Sequence, residues 1–135
     1  MSLHRFVQAQ EGVFEDAKAE LESGRKRTHW MWFVFPQLAG LGSSSTAQLY
    51  AIKDLDEAKA YLDHPVLGER LRTLTQILLK TDKSASEVFG YPDDLKLRSS
   101  MTLFAAAAAD PTPFQQVIDH FYDGPDQRTL DLLKG

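Results

Sequence analysis

The chain is divided by its own start and stop signals into short helical stretches, and that punctuation leaves few folds open to it. Asp54 stands three residues before Glu57 and Ser84 three before Glu87, the spacing at which an N-cap side chain and a carboxylate exchange hydrogen bonds with the first turn of a helix. Breaks are supplied by Gly24, by Pro65, by the run Gly90–Tyr91–Pro92 and by Pro111 with Pro113. Between these marks the apolar residues keep helical spacing. Val13, Phe14, Ala17 and Leu21 share one face before Gly24, and Val66, Leu67, Leu71, Leu74, Ile77 and Leu78 form a stripe reaching to about Lys80. Asp93 and Asp94 suit the positive end of a following helix, Leu95 to Ala109, in which Leu97, Met101, Phe104, Ala105 and Ala108 can meet a neighbour. Two more helices are expected, one from about Pro113 to Tyr122 and a short one after Asp126. The expectation is an all-α chain, a single compact irregular domain of about six helices over residues 1–135.

One segment resists assignment by pattern. Trp30–Phe35 is apolar throughout, which fits either a buried strand or a short buried helix capped by Thr28 and ended before Pro36. A lone strand would leave its backbone groups unpaired, so helix is preferred.

Length and composition bound the rest. A chain of 135 residues can bury a core without staples, and the absence of cysteine excludes disulfides and thiolate metal sites. No window approaches the ~18 apolar residues of a membrane span, and the first residues lack the pattern of a signal peptide. A soluble, cytoplasmic protein is expected. The net charge is −4, from 15 basic and 19 acidic residues. Setting aside the +3 of Arg25, Lys26 and Arg27 leaves −7, which argues against an extended nucleic-acid surface but leaves room for a local anion site.

The densest chemistry lies in GRKRTHWMWFVFPQLAGLG, Gly24–Gly42, which holds both tryptophans of the chain. This run, then LDHPVLGERL (Leu62–Leu71), then FGYPDDLKLRSSMTLFA (Phe89–Ala105), resembles a bacterial family defined by a domain of unknown function, whose members are sometimes labelled calpastatin. The resemblance covers nearly the whole chain and implies a small, mostly helical single domain with no established activity. The inhibitory segments of calpastatin are disordered, whereas this chain carries helices and a core, so that label is set aside.

The residues themselves suggest a site if the blocks meet in space. Arg25, Arg27, Lys96 and Arg98 could neutralise an anion, and Trp30 or Trp32 could stack on a planar ring, with His29, Gln37 and Ser99 adding polar contacts. Gly40 and Gly42 would let backbone approach a ligand, and Ser43, Ser44 and Ser45 could hydrogen-bond phosphate oxygens near a helix starting about Thr46. The ligand class this describes is a small phosphorylated or nucleotide-like molecule. Each part also has a structural reading: the aromatic block as core, the basic triplet as the solvated end of a helix, His29 as a structural histidine, Asp93 and Asp94 as helix-end charges, and Lys96, Arg98 and Ser99 as an exposed face. A second functional class is a protein-interaction module, with Trp30, Trp32 and Phe35 forming a patch that docks a partner or a second copy.

Enzyme signatures are not found. GLGSSS lacks the lysine and spacing of a P-loop, there is no GxSxG, and His4, His29, His64 and His120 are too dispersed for an HExxH zinc site. No reaction, cofactor or metal is assigned from the sequence.

Overall fold

Ten helices and no strand are formed by residues 3–134, the part of the chain that the computed structural model describes. They are α1 (His4–Gln10), α2 (Phe14–Glu22), α3 (Met31–Val34), α4 (Ser45–Leu49), α5 (Leu55–Asp63), α6 (Leu67–Leu78), α7 (Ala85–Phe89), α8 (Asp93–Ala107), α9 (Thr112–Phe121) and α10 (Gln127–Lys134). The all-α class holds, and the count of about six is corrected to ten. The excess comes from short elements. α1, α3 and α4 span seven, four and five residues, too few turns to display a helical period and too short to form without tertiary support.

The expected boundary signals operate, with two differences. Ser84 and Glu87 complete a reciprocal capping box on α7. Asp54 caps α5 by accepting from the Glu57 N–H at 2.9 Å, but the Glu57 carboxylate turns to the Lys53 N–H at 2.9 Å and to Arg5 at 3.1 Å instead of back to Asp54. His64 Nδ1 accepts from the N–H groups of Val66 and Leu67 at 3.1 and 3.2 Å, so a histidine ring does the work of a cap at the start of α6. α3 is a helix, as preferred, yet Thr28 does not cap it.

α8 is the central element. It packs on α5, α7, α9 and α10, and α6 closes the other side against α2, α5 and α9. Leu97, Met101, Leu103 and Phe104 of α8 are fully buried. An aromatic series runs through the interior: Phe6 stands edge-on to Tyr61 with ring centres 5.3 Å apart, and the tilted pairs Tyr61–Phe104 and Phe104–Phe114 follow at 5.2 and 6.0 Å. The buried Gln10 is paired, donating to the Phe33 carbonyl at 2.7 Å and to Tyr61 Oη at 3.0 Å, whereas Asp94 Oδ1 and Ser100 Oγ on α8 are buried with no hydrogen-bond partner among the described residues. Burial pushes the Tyr61 phenol well above its ordinary pKa, so it stays neutral in this setting.

Candidate functional site

The basic triplet is placed by the way α2 ends. Gly24 takes a positive φ of 86°, and the N–H groups of Gly24 and Arg25 return to the carbonyls of Leu21 and Glu20, each at 3.0 Å, closing a Schellman turn. The chain then doubles back past the Glu20 side chain. That carboxylate accepts from the N–H of Arg27 at 2.6 Å, the N–H of Thr28 at 2.9 Å, Thr28 Oγ1 at 2.7 Å and Trp30 Nε1 at 3.0 Å. Desolvation raises the carboxyl's pKa, but the hydrogen bonds from Thr28, Arg27 and Trp30 together outweigh it and hold the value down to about 2. Glu20 was not among the residues singled out by sequence, where it reads as one more charge on an exposed helix face.

The Trp30–Gln37 and Asp93–Ser100 blocks do meet, through Lys96 and Trp32, and Asp93 ties Lys26 to the same end of α8. Its Oδ2 lies 2.9 Å from Lys26 Nζ and its Oδ1 3.4 Å from Lys96 Nζ. Lys26 Nζ also donates to the Thr28 carbonyl at 2.6 Å and sits 5.1 Å from the Trp30 ring. Lys96 Nζ lies 4.8 Å from the centre of the Trp32 ring. Trp32, Gln37, Gly42 and Lys96 thereby line one crevice with Tyr50. Its volume is about 10 Å³, room for a single water. Gly42 serves packing here: a Cβ at that position would lie 2.6 Å from the Cβ of Ala47 on α4. Of the serines expected to reach phosphate, Ser44 caps α4 by accepting from the Ala47 N–H at 3.1 Å, and the Ser43 carbonyl accepts from Gln48 at 3.0 Å.

Other predicted residues lie apart from this crevice. Trp30 is buried against Phe35 and Phe89, with ring centres 6.2 and 6.4 Å away, so no ligand can stack on it. Arg98 Nε donates to the Gly124 carbonyl at 2.8 Å and its guanidinium lies 5.6 Å from the Tyr122 ring, fastening the α9–α10 connection. Ser99 is buried and bonds the Leu95 carbonyl one turn back at 3.2 Å. Arg27 and His29 face solvent.

Arg25 points elsewhere again. With Lys83, Ser86, Phe89 and Gly90 it lines an open cleft of about 470 Å³ between the Gly24–Lys26 turn and α7. Lys26 anchors the cleft floor, its N–H donating to the Val88 carbonyl at 2.7 Å. Lys83 Nζ donates to the Gly24 carbonyl at 3.3 Å. Neither Arg25 nor Lys83 forms an ion pair among the described residues. Glu87 also lines the cleft, but its carboxylate is held by the Ser84 N–H at 2.8 Å, which together with the nearby Lys83 charge lowers its pKa. Among the described residues no cluster of metal-ligating side chains occurs, and no helix is long and apolar enough to cross a membrane.

The chain belongs to a family described as a protein of unknown function (DUF1810), which it matches over residues 1–133. It is also similar to the conserved hypothetical protein Rv1873 from Mycobacterium tuberculosis, whose crystal structure superposes with a TM-score of 0.96 at 51% sequence identity, covering 98% of this chain and 96% of that one. No curated protein matches the chain. The family resemblance drawn from the three sequence blocks therefore holds, and nothing in these likenesses relates the chain to calpastatin.

Proposed function

We propose that the protein binds a small phosphate-bearing anion in the cleft between the Gly24–Lys26 turn and α7. The observation that carries this reading is the pair Arg25 and Lys83, two cations that form no ion pair among the described residues and share one cleft of about 470 Å³ with a single carboxylate, Glu87, which is already held by Ser84. That volume suits a small molecule. Arg25 offers a forked set of donors, Lys83 a point charge, and Ser86 a hydroxyl at the wall. Val88 and Phe89 give the cleft an apolar side against which the remainder of such a ligand can rest. Within this reading Trp32, Gln37 and Lys96 form the neighbouring wall of the fold and not the ligand platform, because their crevice admits about one water. Catalysis is not part of the proposal.

The test is titration with pyrophosphate and with adenosine monophosphate, followed by amide chemical shifts. Binding should perturb Gly24–Lys26 and Lys83–Gly90, weaken with added salt, and disappear in the Arg25→Ala/Lys83→Met double variant. Absence of shifts in those segments at millimolar ligand, or shifts that survive the double substitution, overturns the proposal.

A protein-docking role has one specific observation in its favour. Tyr91, in the turn just before α8, and Leu95, in the first turn of α8, are 82% and 47% exposed. Under that reading the patch lies there and not at the buried Trp30 and Phe35. Sedimentation at rising protein concentration, with Tyr91→Ser as control, separates self-association from ligand binding.

A further inference from the structure

We propose that a second cleft, between α8, α9 and α10, binds an organic cation with an apolar body. The cleft measures about 340 Å³ and is walled by Ala105, Ala106, Ile118 and Leu130, with Gln115 and Asp119 at its edge. Gln115 and Asp119 are four residues apart on α9 and so project from the same side of the helix. Neither side chain forms a hydrogen bond or ion pair among the described residues, whereas Thr102, which also lines the cleft, is engaged: its hydroxyl donates to the Arg98 carbonyl at 2.8 Å and accepts from the Asp126 N–H at 2.8 Å.

The position of Asp119 makes its isolation informative. It lies in the last turn of α9, where unpaired carbonyls present the negative end of the helix dipole. A carboxylate is disfavoured there, and a cation beside it would relieve both the dipole and the charge. The basic residue of that turn, His120, is occupied elsewhere, its Nε2 lying 2.6 Å from the Thr81 carbonyl. Across the cleft the wall is alanine, which leaves the hollow unfilled and supplies no counter-charge. An unneutralised carboxylate at the edge of an apolar hollow recognises an ammonium group whose hydrocarbon part enters the hollow. Hydrocarbon alone would gain only the apolar contact, and an anion would meet both Asp119 and the dipole.

n-Hexylammonium, hexanol and hexanoate, equal in carbon number and different in head-group charge, serve as probes in amide-shift titrations of the full chain. The expected order of affinity is ammonium, then alcohol, then carboxylate, with shifts at Ala105, Ala106, Gln115, Ile118 and Leu130. Asp119→Asn, a change at an exposed position, should weaken hexylammonium by about tenfold, as expected for loss of one charge-assisted contact, and leave hexanol unchanged. Ala105→Leu, which fills the hollow, should weaken all three. The proposal is overturned if hexylammonium binds no better than hexanol, if Asp119→Asn leaves its affinity intact, or if the shifts map to another surface.

Discussion

Replacing Glu20 with glutamine tests the device that holds the basic turn in place. The carboxylate accepts four hydrogen bonds, two of them from backbone N–H groups and one from the indole of Trp30, whereas a glutamine amide offers one acceptor oxygen and turns an NH₂ toward the remaining donors. Lowering the pKa from 4.5 to about 2 corresponds to at most about 3.4 kcal/mol of folding free energy. The side chain is partly solvated, and screening reduces the figure to roughly half, about 1.7 kcal/mol. The folded-state pKa is depressed, so this stability is fully present above the unfolded value and is lost as pH falls from 4.5 toward 2. Linkage places about three-fifths of the loss above pH 3. Urea unfolding of the wild type and Glu20→Gln, followed by tryptophan fluorescence and by circular dichroism at several pH values, gives the difference directly. It should be about 1–2 kcal/mol at pH 7 and shrink to about two-fifths of that at pH 3. A difference that is the same at both pH values refutes the latch.

Two further substitutions probe packing and the C-terminal fastening. Gly68 has no room for a side chain, since a Cβ would stand 2.1 Å from the Leu62 carbonyl oxygen; Gly68→Ala must force α5 and α6 apart and should cost about 3 kcal/mol, or roughly 10 °C in a thermal melt, and an unchanged melting temperature would contradict the geometry. Arg98→Ala removes the donor to the Gly124 carbonyl and the contact with Tyr122 and should lower stability by about 1–2 kcal/mol while leaving the anion titration unaltered, so loss of binding at constant stability would return Arg98 to the ligand site.

What was legible in the sequence follows the range of the interaction concerned. Caps and breakers act within a turn, and they located α5, α7, α8 and α9 to within a few residues. The stripe on α6 was read correctly because its twelve residues hold several helical turns. The four residues of α3 show no period at all; their helix exists because Met31 and Val34 fill the core. Interactions that span the fold left no local mark. Glu20 meets Thr28 and Trp30 only after the Schellman turn reverses the chain, and Asp93 reads as a helix-end charge until Lys26 arrives from a segment far away in sequence. The alanine run of α8 was legible as a packing surface, but not the hollow that it leaves beside α9 and α10.

The basic triplet shows why a charge cluster in sequence is not yet an anion clamp. Residues 25–27 are not helical, and in extended backbone successive side chains leave on alternate sides. Lys26 therefore turns inward, where its side chain is 7% exposed and paired with Asp93, while Arg25 and Arg27 turn outward. The inward lysine is a fixed element of the fold: a buried ammonium deprived of its carboxylate would be strongly destabilising, and a ligand anion competing for it would have to displace a bond 2.9 Å long. Arg25 carries no such commitment, and the reversal at Gly24 brings it beside Lys83, whose Nζ donates to the neutral Gly24 carbonyl and forms no ion pair among the described residues. The same alternation that buries one cation of the triplet thus frees another, which is why the anion site proposed above is placed at the face of α7 and not at the tryptophans.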